Sequence, residues 1–218
     1  MIKRNKGMLI VTSIVILIPI IIGLLLWNQL PEQIPSHWNI NGEVDSWSSK
    51  GFAVFFPAIL LAIHWLCVLA SYADTSSKNY HPKMIRLVLW ICPVLSLVLS
   101  TLMYATALGY PLNVEVILPL LVGLMLLIIG NLLPKCPQSK TLGIKLPWTL
   151  KNEENWNKTH RFSGKLWVIG GIVTMVTAFL GNFWILLGVL IVMAAVPTIY
   201  SYVLHCKQKR KNIDNTGK

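Results

Sequence analysis

Apolar residues in this chain gather in long blocks, and six of those blocks approach the roughly 20 residues that a bilayer-spanning helix needs. They cover residues 8–27, 52–72, 85–108, 114–133, 166–180 and 183–205. The pattern predicts an all-α polytopic membrane protein, a six-span helix bundle. The fifth block is short and runs on into Gly181-Asn182, so its limits are the least defined. Between the fourth and fifth blocks lies the longest polar interruption, Asn131 to Trp167.

The blocks divide the chain into residues 1–73 (two spans and an outer loop, 30–51), 74–133 (the third and fourth spans) and 134–218. The last part holds a cytoplasmic loop at 134–165, two further spans and a basic cytoplasmic tail. The first and fourth spans end alike, Asn28-Gln-Leu-Pro31 and Asn131-Leu-Leu-Pro134, with a Pro-x-x-Trp or Pro-Trp in the loop that follows. Three spans followed by three of opposite orientation is the pattern of inverted-topology repeats, against chance similarity of short proline-bounded ends.

In the outer loop, Pro31 and Pro35 bias the residues before them to extended backbone. Asn41-Gly42 is a turn signal. Trp38 and Trp47 suit the bilayer interface. In the cytoplasmic loop, Asn152 followed by Glu153 and Glu154 reads as a capped helix start. Trp156, His160 and Gly164 then share one helical face, placed with Trp167 to pack into the cytoplasmic mouth of the spans. The competing reading is a solvated basic segment along the membrane, with Trp148 and Trp156 among the headgroups and Lys145, Lys151 and Lys158 on anionic lipid. Pro93 is placed to kink the third span, and Pro119 to open a local break in the fourth.

Charge changes the picture by its placement. The net charge is +11, and of the 19 basic residues only Lys50 falls in a loop on the outer side. The positive-inside rule makes the other side cytoplasmic and puts both termini there. Topology and the lipid bilayer account for the basic excess, and no direct nucleic-acid contact is needed. The first block is too long for a secretory signal and lacks a cleavage site, so it reads as an uncleaved span. Cys67 and Cys92 lie in spans, while Cys136 and Cys206 face the reducing cytoplasm, where structural disulfides are not expected.

Candidate chemistry is sparse. His64, inside the second span, is a functional candidate by default but reads better as a neutral imidazole bonded to a neighbouring helix. His37, Glu43 and Asp45 are ligand types for zinc or a hard cation, without a recognised spacing; a locally bonded His37 and no metal or cofactor are expected. No carboxylate or basic residue occurs between Leu166 and Leu204, which opposes a proton- or ion-coupled transporter. His160, Arg161 and Glu153 or Glu154 offer acid–base groups, but no nucleophile accompanies them, and the chain reads as no enzyme.

Two stretches carry a resemblance. Gly143-Ile-Lys-Leu-Pro-Trp-Thr-Leu150, then Asn155-Trp-Asn-Lys-Thr-His-Arg161, Gly164 and Trp167, resemble the signature of the bacterial SdpI family. Leu30-Pro31, Ile34-Pro35, His37-Trp38, Gly42, Asp45, Trp47 and Ser49-Lys50 look like the short domain of unknown function that accompanies it. The resemblance implies immunity against a secreted peptide toxin, and a toxin-sensing role that recruits a small DNA-binding repressor to the membrane. It makes Pro147, Trp148, Asn155, Trp156, Thr159, His160 and Arg161 the candidates for partner docking on the cytoplasmic side. On the outer side it points to His37, Trp38, Gly42, Asp45 and Trp47 as the toxin-facing set. A small-molecule or lipid transporter and a lipid-headgroup enzyme remain the alternatives.

Overall fold

The computed structural model describes residues 5–74 and 80–216, with side chains through 211. Lys3, Arg4, Lys78 and Lys218, which enter the charge count above, lie outside the described residues. The elements are α1 (Lys6–Leu25), β1 (Gln33–Trp38), β2 (Val44–Ser49), α2 (Lys50–Ala73), α3 (Pro82–Ala107), α4 (Val114–Leu132), α5 (Glu153–Thr177) and α6 (Phe183–Thr216). Single 3-10 turns follow α4 and α5. All six helices are long and apolar enough to cross a membrane. The protein is an all-α, six-span membrane protein with one small hairpin.

Helices carry these spans because a backbone in hydrocarbon must satisfy its own polar groups. Pro93 and Pro119 sit inside α3 and α4, and both helices run through them. The break expected at Pro119 is therefore absent. The larger departure is in the loop expected at 134–165. Its second half is helical, because α5 starts at Glu153 and not near Leu166. Asn152 marks that start: its side chain accepts a hydrogen bond from the Asn155 N–H at 2.8 Å. The cap, rather than the apolar pattern, defines the element.

The chain separates into two compact units, Met1–Ala73 with Pro82–Ile117, and Asp74–His81 with Leu118–Lys218. In the first, α1, α2 and α3 pack against one another. Hydroxyls join them: Ser96 donates to the Ile16 carbonyl at 2.8 Å and Tyr104 to the Pro19 carbonyl at 3.1 Å. His64 is fully buried and its Nε2 lies 3.3 Å from the Thr12 hydroxyl, the inter-helix bond expected of it. Leu30, Ile34, Ala53, Val54, Met103 and Tyr104 form a core beneath the hairpin.

In the second unit α5 packs against α6. It meets α4 through glycines, where a Cβ on Gly164 would lie 2.7 Å from the Gly130 carbonyl oxygen and one on Gly171 would lie 2.6 Å from that of Gly123. No side chain fits at either crossing, so the backbones touch.

Candidate functional site

The motif between Gly143 and Trp167 closes on itself. Asn155, Trp156, Thr159, His160, Ser163 and Gly164 all lie on the buried face of α5. The Trp156 and His160 rings stack with centroids 4.0 Å apart. Trp156 Nε1–H donates to the Cys136 carbonyl at 2.9 Å. His160 Nε2 accepts from the Ile144 N–H at 2.9 Å, and Nδ1 lies 2.8 Å from the Trp156 carbonyl. That pair of partners requires a neutral imidazole protonated at Nδ1. Gly143, at φ +107, brings the loop backbone against both rings, where a Cβ would stand 2.6 Å from His160 Nε2.

Asn155 ties the same helix to α6. Its Nδ2 donates to the Ser201 carbonyl at 3.0 Å, and its Oδ1 accepts from the Thr159 and Ser201 hydroxyls. Trp148 Nε1–H donates to Ser201 Oγ, and its ring packs between Tyr202 and His205. Of the seven candidates in this motif, Asn155, Trp156, Thr159 and His160 are buried, Trp148 is half-buried, and only Pro147 and Arg161 are exposed. The headgroup placement of Trp156 is overturned, since the ring is 0 % exposed. Burying it against His160 and the Cys136 carbonyl satisfies its N–H, which hydrocarbon could not.

Asp74 is the residue that the sequence reading missed. Its Oδ2 accepts from the Tyr80 hydroxyl at 3.0 Å, the Ser139 hydroxyl at 2.7 Å, the Thr141 N–H at 2.9 Å and the Thr141 hydroxyl at 2.8 Å. A buried carboxylate is tolerable when donors surround it, and this one fixes the start of the loop. The signal was available, because Asp74 is the only carboxylate between Asp45 and Glu115. Burial, with the Asp74 charge adding to it, pushes the Cys136 thiol up to about 12. Burial also raises Tyr80, which keeps its phenol protonated as a donor.

The loop at 30–51 folds as a hairpin. Its turn is held by Asn39, whose Oδ1 accepts from the Asn41 and Glu43 N–H groups at 2.9 and 3.0 Å. Gly42 takes φ +72, and the space a Cβ would need is filled by the Glu115 side chain. Asn41-Gly42 is thus the turn that was expected. His37 Nδ1 pairs with Asp45 Oδ1, while Glu43 accepts from Asn39 at 3.1 Å. Two of the three metal-type side chains thus pair with each other and the third bonds Asn39, and no group of three such side chains that could hold a metal occurs among the described residues. Trp38 packs against the Leu30–Ile34 core, and Trp47 is 54 % exposed. Lys50, the sole base of this loop, is buried with its amine 2.9 Å from Glu32, 3.2 Å from the Trp27 carbonyl and over the Trp27 ring.

Residues 135–201 match the model of the SdpI/YfhL protein family, and residues 14–61 match a domain of unknown function, DUF1648. The immunity protein SdpI of Bacillus subtilis (strain 168) is 30 % identical over 203 residues, covering 92 % of this chain and 95 % of that protein. No solved structure matches the chain.

Proposed function

The chain belongs to the SdpI/YfhL protein family, and from that membership we propose that it is a bacterial membrane immunity protein acting against a secreted peptide toxin. The observation that carries the reading is the likeness to an immunity protein along nearly the full length of both chains. The protein sits in the plasma membrane with both termini in the cytoplasm, a placement supported by the single base, Lys50, in the outer loops. The acidic hairpin is then the face that meets the toxin.

The reading extends to signalling. A small DNA-binding repressor would meet the cytoplasmic side through what remains exposed there: Pro147, Arg161 and the neighbouring Lys145, Lys151 and Lys165. The buried members of the motif hold that surface in shape. Catalysis has no part in this account. His160 has both ring nitrogens engaged, so general acid–base work there would break the Ile144 or Trp156 bond.

The test is survival of a sensitive bacterium that expresses the chain and is challenged with peptides secreted by its source organism. Cells should survive doses that kill the parent strain. Reversing the exposed charge with Arg161→Glu should abolish repressor capture and leave survival intact. Death at the parental dose, with the chain correctly inserted, would overturn the proposal.

A further inference from the structure

The hairpin has an open side. Its sheet contains two strands in the order β1-β2, and β2 pairs with no other strand among the described residues. The two edges differ. β1 carries Pro35, buries Ile34 and Pro35, and packs against α3. β2, Val-Asp-Ser-Trp-Ser-Ser, contains no proline, and four of its six residues are exposed. An unpaired edge of this kind is a template for an added strand, and a proline on the other edge blocks addition there.

The register says which groups are offered. Lys50 N–H donates to the Glu32 carbonyl at 2.9 Å, and the Cα partners run Gln33 to Ser49, Ile34 to Ser48 and Pro35 to Trp47. Bonded and non-bonded pairs alternate along an antiparallel ladder. Ile34 and Ser48 therefore exchange hydrogen bonds, and Pro35 and Trp47 do not. Pro35 fits that position because it has no N–H to exchange. On the other strand the N–H and carbonyl of Trp47 point outward, away from β1. Beyond Trp47 the register shifts, between Pro35 and His37 and again between His37 and Trp38, so the regular outward edge ends near Trp47 with Asp45 in the irregular part beside it.

We propose that the outward edge of β2, centred on Trp47, binds the toxin by adding it as a third strand, and that the part bound is an extended segment with basic side chains. The proposal rests on the immunity reading and names the partner chemistry of the hairpin. Backbone pairing at Trp47 would supply affinity, and side-chain neighbours would set specificity. Charge selects the occupant: Glu43 and Asp45 lie beside the edge, and the only base of the loop, Lys50, is buried against Glu32. A second copy of this chain would bring another Glu43 and Asp45 to the same edge, so self-pairing is disfavoured.

The experiment is amide hydrogen exchange on the full chain in phosphatidylcholine nanodiscs, with and without the secreted toxic peptide fraction against which the wild-type chain protects cells in the survival assay. The Trp47 amide should exchange at least tenfold more slowly with peptide bound. Trp47→Pro, which removes that N–H at a non-bonded position, should abolish binding, while Trp47→Ala, which keeps it, should retain the slowing. Bound peptide with an unchanged Trp47 amide would overturn the proposal and leave immunity standing. Failure of Trp47→Pro to insert leaves the wild-type exchange result to decide. If the wild-type chain protects cells against no secreted fraction, the immunity reading falls and the toxin edge falls with it.

Discussion

His160 shows how a residue that looks catalytic is used for construction. It is buried with a proton on Nδ1, an acceptor bond from Ile144 and a ring stacked on Trp156. Removing it leaves a loop N–H without its partner, which costs about 1–3 kcal/mol. The lost stack adds about 0.5–1.5 kcal/mol. His160→Ala should therefore lower the thermal midpoint of the solubilised protein by several degrees, read by fluorescence-detected size exclusion. Gly143→Ala should do at least as much, since φ +107 and the contact with His160 both exclude a methyl group. An unchanged midpoint in both variants would contradict the clasp described here. Asp74 belongs to the same set of residues, as the anchor of the loop that His160 closes.

At the scale of elements, one close joint is the antiparallel crossing of α4 and α5. Its two glycine contacts, Gly130 with Gly164 and Gly123 with Gly171, lie seven residues apart on each helix and leave no room for side chains. Gly164→Leu should separate the helices and reduce the folded protein recovered from membranes at least several-fold, whereas Gly51→Ala, with nothing within 4 Å of its Cβ, should be silent. Equal recovery of the two variants would count against the close crossing. The spans were legible in the sequence because long apolar runs are a one-dimensional signal, and the α5 start was legible in the Asn152 cap. The hairpin pairing was not, since Pro31 and Pro35 announce extended backbone without naming a partner strand. Trp148 and Trp156 illustrate the remaining gap. Equal spacing among lysines cannot tell a ring at the headgroups from one at 0 % exposure, and only the loop folding back over α5 buried Trp156. Asp74 was passed over for the same reason, because its four donor contacts come from Tyr80, Ser139 and Thr141, residues the chain brings to it only when folded.

For the whole molecule, the proposed orientation puts the hairpin outside and the N-terminus of α5 inside. Ser46 and Asn157 are both exposed and serve as reporters. Ser46→Cys should react with a membrane-impermeant maleimide on intact cells, and Asn157→Cys should react only after lysis. The opposite pattern would invert the topology and place the acidic hairpin in the cytoplasm. Cys136 does not obscure the result, because the buried thiol, pushed up to about 12, stays protonated and unreactive at neutral pH.

The junction of β2 and α2 sets where any ligand must be met. β2 ends at Ser49 and α2 begins at Lys50, with no residue between them. With 24 residues, α2 is about 36 Å long, little more than the hydrocarbon core of about 30 Å. The base of the hairpin, where β2 meets α2, is thus held at the headgroup layer. A peptide that first adsorbs to the bilayer already lies in that layer, at a local concentration far above its concentration in solution. Encounter then becomes a lateral search across a surface, and modest affinity suffices to intercept a peptide before it inserts.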